Sequence, residues 1–297
     1  MKWAGGKRQL LPALRKFYPA AFNTYWEPFL GSGAVFFDLH ARGALDGHDV
    51  RLSDNNADLI ACYRAVRDCP EQVIRELLRL AIGHGRDGAR HYYEVRNQRF
   101  NPQRAALAAS ADHGSEYTAS LAAMFVYLNR TGYNGLFRLN SDGEFNVPAG
   151  SYAKPRICDE PNLRRVAKAL ARPGLTLERA RVERVVERAA AGDFLYFDPP
   201  YAPLSKTARF TSYTAEGFDA EDQKRLRDLV VSLVRRGCHV LMSNSTAPEI
   251  AALYEDNEDA VEAGLRCYRI PARRAINSNR LRRGTVDEYV ITNVRGR

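Results

Sequence analysis

The residues Phe194-Leu195-Tyr196-Phe197 form an apolar run that breaks directly into Asp198-Pro199-Pro200-Tyr201. The run reads as a buried strand ending in a rigid turn, because each proline fixes φ and removes a backbone donor. Strand-like runs recur at 24–29, 50–53 and 238–243. Between them, 10–17, 34–42, 57–67 and 219–236 carry apolar residues at three-to-four spacing, as amphipathic helices do. Strand alternating with helix predicts a doubly wound α/β sheet of Rossmann type, which takes ligands at the carboxyl ends of its strands.

The alternation is interrupted once. Residues 70–130 are helical and polar in pattern, and the Gly- and Asn-rich segment 133–148 reads as a β-hairpin turning at Ser141-Asp142-Gly143. This predicts an inserted domain at 69–158, with 1–68 and 159–297 forming the sheet domain.

A strand that presents an acid, a proline carbonyl and an aromatic ring is suited to a planar amine. Asp198 and the Pro199 carbonyl are adjacent acceptors, and Tyr201 offers a stacking face. Two acceptors drawing on the hydrogens of a nucleobase amine localise its lone pair and aim it at an electrophile. The same tetrapeptide is also an ordinary strand exit.

A second constellation faces the same end of the expected sheet. Glu27-Pro28-Phe29-Leu30-Gly31-Ser32-Gly33 follows the first strand and opens a helix, and its glycines permit close backbone approach. The third glycine of a dinucleotide fingerprint is missing, with Phe36 in its place, which argues against a nicotinamide cofactor. The second strand ends in Ser53-Asp54-Asn55-Asn56, where an acid commonly grips ribose hydroxyls; an Asx turn or a helix cap is equally compatible. At the N-terminus, Lys2-Trp3-Ala4-Gly5-Gly6-Lys7 supplies a stacking wall, two glycines and a cation for a carboxylate, without the Ser or Thr a phosphate loop needs. S-adenosylmethionine fits the sum of these parts.

The chain has 297 residues, and its 44 Lys and Arg against 35 Asp and Glu give +9, which favours a polyanionic partner. Arginines at 266, 269, 273, 274, 280, 282 and 283, interleaved with Tyr268, Asn277, Ser278 and Asn279, are expected to form a phosphate-contacting surface; a solvated basic face is the alternative. The five cysteines are scattered and no histidine lies at ligand spacing, so neither a disulfide framework nor a metal site is expected. No apolar run is long enough to cross a bilayer, so a cytoplasmic protein is expected.

The ordered motifs KWAGGK (2–7), EPFLGSGAVFF (27–37), SDNNADLI (53–60), YNGLFR (133–138), GEFNVPAGSY (143–152) and DPPYAPLSKTARFTSY (198–213) resemble the Dam family of DNA adenine methyltransferases. The resemblance implies a Rossmann-like methyltransferase sheet with an inserted recognition domain, acting on double-stranded DNA as a monomer or weak dimer. It implies methylation of an everted adenine, in GATC, since the amine is otherwise paired. Asp198, Pro199, Pro200 and Tyr201 would hold that base. Trp3, Ala4, Gly5, Gly6, Lys7, Glu27, Phe29, Gly31, Ser32, Gly33, Asp54 and Asn55 would line the cofactor pocket, together with Asp198.

In the insert, Arg138 matches the arginine that contacts guanine, Leu136 and Pro148 match contacts near the thymine, and Tyr133 and Asn134 match residues beside the extruded base. Lys2 matches a contact to the other guanine, Tyr152 a further base contact, and Ser205 and Thr207 contacts near the flipped nucleotide. Arg130 joins this DNA-facing set. Two departures are visible: only Met1 precedes the first motif, and Ser151 stands where many relatives carry a basic residue. The residues alone leave other planar amines open, such as cytosine, an RNA base or a protein amide, as well as a catalytically silent DNA-binding regulator.

Overall fold

The computed structural model describes residue 3 and residues 6–109, 117–201, 218–273 and 285–296. Among these, the chain divides into two compact units. One comprises Trp3 and the stretch from 56 to 173; the other comprises the described parts of 6–55 and 174–297.

The second unit is built on a seven-stranded sheet: β1 (Tyr25–Glu27), β2 (Val50–Asp54), β3 (Leu175–Arg179), β4 (Phe194–Phe197), β5 (His239–Ser245), β6 (Arg266–Arg273) and β7 (Thr285–Thr292). The order across the sheet is β3-β2-β1-β4-β5-β7-β6. The first five strands run parallel, and β7 is antiparallel to both of its neighbours. This is the doubly wound sheet the alternating pattern predicts. Every residue of β4 is buried, as a central parallel strand with both faces covered requires. Trp26, Leu195, Phe197, Val240, Met242 and Ile291 pack with Leu226, Val230 and Leu233 of the helix Ala220–Arg235. Buried Asp193 ties β1 to β4, accepting from the Thr24 and Ala190 amides and from Trp26 Nε1.

Three strands escape the sequence pattern. In β3 only Leu177 is buried, since it is an edge strand. The basic run that suggested a phosphate surface supplies β6, the opposite edge: Arg269 is held by Glu255 at 2.8 Å and by the Tyr289 hydroxyl at 2.9 Å. Arg274, Arg280, Arg282 and Arg283 lie outside the described residues.

The first unit is helical. The helix Ala57–Asp68 starts at Asn56, whose side chain accepts from the Leu59 amide, and Ala119–Thr131 starts at Thr118, which accepts from Leu121. Pro70–Asp87 and Glu160–Leu170 complete the larger helices. The hairpin segment follows. It closes by antiparallel bridges at Gly132/Ala149 and Leu139/Phe145, without continuous strands. Its turn is set by Asn140, whose carbonyl accepts from Gly143 and whose side chain accepts from the Asp142 and Glu144 amides. A short 3₁₀ turn at Tyr133–Gly135, with Asn134 at φ +54°, and Pro148 opposite it prevent a regular ladder.

Candidate functional site

Parallel strands carry their last residues to one edge of the sheet. Glu27 ends β1, Asp54 ends β2, Asp198 follows β4, and Ser243 and Asn244 lie late in β5. The antiparallel β7 brings residues from its first half to that same edge, with Glu288 opposite Ser245.

Each group of the Asp198–Tyr201 turn is held by a neighbour. Lys7 Nζ lies 2.8 Å from Asp198 Oδ1, and the Ser243 hydroxyl donates to the same oxygen at 3.1 Å. Tyr196, in the strand before it, hydrogen-bonds Ser243 at 2.9 Å. Gln223 Nε2 donates to the Pro200 carbonyl at 2.9 Å and is itself held by Asn244. The Tyr201 hydroxyl donates to Glu288 Oε2 at 2.5 Å, while Lys7 sits 4.4 Å from the Tyr201 ring centre and 3.9 Å from Glu288. Among the described residues, Asp198 Oδ2 and the Pro199 carbonyl have no protein partner. Among the described residues these two acceptors of adjacent residues thus lack a protein partner, while their neighbours are fixed.

The electrostatics follow from this packing. Lys7 is 3% exposed and Asp198 22%. Burial pushes the Asp198 carboxyl up from the usual carboxylate range, the Lys7 ammonium opposes that push, and Glu288 adds to it. Burial, with the charges of Asp198 and Glu288, keeps Tyr201 a neutral phenol.

The glycine loop is shaped by left-handed backbone. Gly31 has φ +46° and Gly33 φ +64°, and a Cβ at Gly33 would come within 2.8 Å of the Phe37 ring. Asp54 Oδ2 accepts from the Gly31 amide at 3.0 Å, and the Leu30 amide donates to the Ser53 carbonyl, so the loop is fastened to β2. Asn56, rather than Asp54, caps the following helix. Asn55 is exposed, and its carbonyl accepts from Arg179. Ser32 is half-buried and Phe29 meets Phe218 edge-on.

Glu27 is buried and accepts from the Phe36 amide at 2.9 Å and the Tyr25 hydroxyl at 2.7 Å, so it caps the helix Ala34–Ala41. Burial pushes its carboxyl up to about 8. A carboxyl raised above its ordinary value of 4.5 contributes stability that is complete below that value and is lost as pH rises through about 8. The melting temperature of the wild type, measured against that of Glu27→Gln, should therefore fall across this window. Parallel profiles for the two proteins would contradict a buried, protonated Glu27.

Of the remaining sequence-derived residues, Gly6 and Lys7 belong to the sheet unit, and the others fall in the helical unit or outside the described residues. Trp3 stacks on Phe137, with ring centres 6.3 Å apart and planes 19° apart. Lys7 lies on Asp198, an acid of the turn, whereas the sequence suggested a cofactor carboxylate. Gly6 is exposed just before it. In the hairpin, burial alternates: Phe137, Phe145 and Val147 point inward, and Arg138 and Pro148 are exposed. Arg138 Nε donates to Asn146 Oδ1 at 2.7 Å across the hairpin. Tyr133 is 44% exposed, Asn134, Leu136 and Tyr152 are half-buried, and Arg130 is half-buried near the end of its helix. Lys2, Ala4, Gly5, Ser205 and Thr207 lie outside the described residues.

Sequence reading missed Ser243, Gln223, Asn244 and Glu288. Each acts through a partner 21 to 87 positions away, and no local pattern marks them. Among the described residues there is no cluster of His, Cys, Asp or Glu able to hold a metal, and no helix long and apolar enough to cross a membrane.

A Rossmann-like sheet whose antiparallel seventh strand sits between the fifth and sixth carries a glycine loop after β1 and an acidic proline turn after β4, and the family match makes this chain a methyltransferase. Residues 3–268 match the D12 class N6 adenine-specific DNA methyltransferases. The chain is 38% identical over 293 residues to the type II methyltransferase M1.LlaDCHI of Lactococcus lactis subsp. cremoris, covering 98% of this chain and 94% of that one. It is 37% identical over 287 residues to the type II methyltransferase M.MjaIII of Methanocaldococcus jannaschii, covering 93% and 92%. Against the DNA adenine methylase of Escherichia coli K12 it is 34% identical over 290 residues, covering 98% and 93%. The chain belongs to the D12 class of N6 adenine-specific DNA methyltransferases, and adenine in DNA replaces the other planar amines as its target.

Proposed function

We propose that the enzyme transfers a methyl group from S-adenosylmethionine to the amine of an adenine everted from duplex DNA, within GATC. The observation that carries this reading is the pair of acceptors unclaimed among the described residues, Asp198 Oδ2 and the Pro199 carbonyl, on a turn whose other polar groups are held by Lys7, Ser243, Gln223 and Glu288. When bound, the cofactor supplies an electrophilic methyl group. Asp54, fixed through Gly31, would hold its ribose, and the left-handed glycines would admit it against the backbone.

Asp198 and Pro199 accept the two amine hydrogens and turn the nitrogen lone pair out of the ring plane. Tyr201, fixed by Glu288, stacks on the base. No base is needed before attack: nitrogen becomes cationic as the new bond forms, and its proton then leaves to solvent. The enzyme would act on DNA in the cytoplasm of a bacterial or phage-type system.

Arg138 is exposed on the hairpin with its Nε taken by Asn146, and among the described residues its outer guanidinium nitrogens remain to face a base edge in this reading. A bidentate arginine on guanine is worth about 1–3 kcal/mol of discrimination. Arg138→Ala should lose that much selectivity at one guanine, measured as kcat/KM on duplexes changed one base pair at a time. An equal loss on all duplexes would make it a phosphate contact instead. The reading as a whole is tested by incubating the protein and labelled S-adenosylmethionine with a duplex library and mapping the modified base. Label on adenine outside GATC would refute the proposed site, and no label from this donor would refute the cofactor.

A further inference from the structure

The hairpin's outer edge is completed by side chains instead of a strand. Leu139 and Phe145 are bridged, with hydrogen bonds from Asn140 to Glu144 and from Asn146 to Arg138 on either side. Phe145 is therefore a non-hydrogen-bonded position of the pair, and its own amide and carbonyl point away from the partner segment. Such an edge needs partners once buried. Buried Asn101 supplies both: its Oδ1 accepts from the Phe145 amide at 3.0 Å, and its Nδ2 donates to the Phe145 carbonyl at 3.1 Å. Two residues to either side the pattern repeats. Arg104 donates to the Gly143 carbonyl, and Tyr92 and Arg96 each donate to the Val147 carbonyl at 2.9 Å. Arg104 is itself anchored by Asp58, which also accepts from the Tyr117 hydroxyl.

We propose that this surrogate strand, centred on Asn101 and completed by Arg96 and Arg104, is a specificity-positioning element that sets the register of residues 143–147 and so aims Arg138. The link is Asn146, which lies between two clamped residues and holds the Arg138 guanidinium through Nε. A slip or outward drift of this segment would move Asn146 first, because period-two alternation turns a one-residue shift into a change of face. None of these three residues is offered to a base; they act through Asn146. The inference rests on the reading of Arg138 as a base contact.

The test uses the full chain with Asn101→Asp, which keeps the acceptor for the Phe145 amide but sets a carboxylate against its carbonyl. Because that charge is buried and can block folding, Arg96→Met is measured beside it; Val147 then keeps Tyr92. The readout is the ratio of kcat/KM on GATC to that on duplexes with one changed base pair, together with hydrogen exchange at the Phe145 amide. A purely structural role lowers the amount of active enzyme equally on all duplexes and leaves the ratio alone. We expect the ratio to fall about tenfold at the same base pair that Arg138→Ala affects, with faster Phe145 exchange in Asn101→Asp. If Arg138→Ala shifts the ratio but the folded strut variants do not, the strut inference is overturned. If Arg138→Ala shifts nothing, the base-contact reading falls and takes this inference with it.

Discussion

Asp198→Ala should lower kcat by roughly a hundred- to a thousandfold while specific duplex binding remains measurable, since one preorganised transition-state contact is worth about 10²–10³ and the turn loses its only carboxylate. The fold should tolerate the change. Lys7 is buried against Asp198, and an ammonium stripped of its partner there would ordinarily be destabilising. Glu288 lies 3.9 Å from the same nitrogen and can take over its charge. Asp198→Asn separates the two parts of the role, since the amide keeps an acceptor oxygen and gives up the negative charge. Single-turnover transfer and gel-shift binding on the same duplex measure both quantities. Turnover near the wild-type rate in Asp198→Ala would remove Asp198 from the chemistry, and loss of binding with loss of turnover would mark it as structural.

Asp54→Ala should raise the KM for S-adenosylmethionine about 10- to 100-fold, from the loss of charge-assisted hydrogen bonds of about 1.5–3 kcal/mol. The carboxylate has two tasks, holding the Gly31 amide and, in the proposed reading, gripping the ribose. Asp54→Asn distinguishes them. Its side-chain oxygen can still accept from Gly31, so a defect shared equally by both variants assigns the effect to the ribose. Calorimetric binding of the cofactor to the DNA-free enzyme gives the number directly. Unchanged affinity in Asp54→Ala would make this residue a fastener of the glycine loop alone.

The residues proposed to carry the chemistry are legible in the sequence because their signals are local. Phe194–Phe197 reads as a buried strand from four consecutive apolar residues, and it is one; Asp198 follows it because proline ends the ladder. The helix boundaries at 34, 57 and 220 stand within a residue of the spacing pattern, since caps and glycines are also local. Gly31 and Gly33 announce left-handed backbone that other residues adopt only at a cost. The hairpin was visible through the Gly- and Asn-rich segment and the Ser141-Asp142-Gly143 turn, whereas its broken ladder depends on the 3₁₀ turn at Tyr133–Gly135 and on Pro148, whose carbonyl accepts from the Tyr133 amide.

Strand pairing, and what each polar group would touch, was settled only in three dimensions. Register places Glu288 beside Ser245 because β7 runs against β5, and that pairing alone brings its carboxylate to Tyr201. Asn101 is an unremarkable residue within a helical stretch until the fold sets it against the orphaned edge of Phe145, 44 positions away. The arginines of 266–273 read as a phosphate-contacting surface or a solvated basic face, and only the fold shows that one of them, the still exposed Arg269, is paired with Glu255 and Tyr289 on an edge strand. Backbone preference and apolar periodicity are written within a few neighbouring residues. Hydrogen-bond partners are chosen by the need to satisfy buried polar groups, which only the folded chain can express.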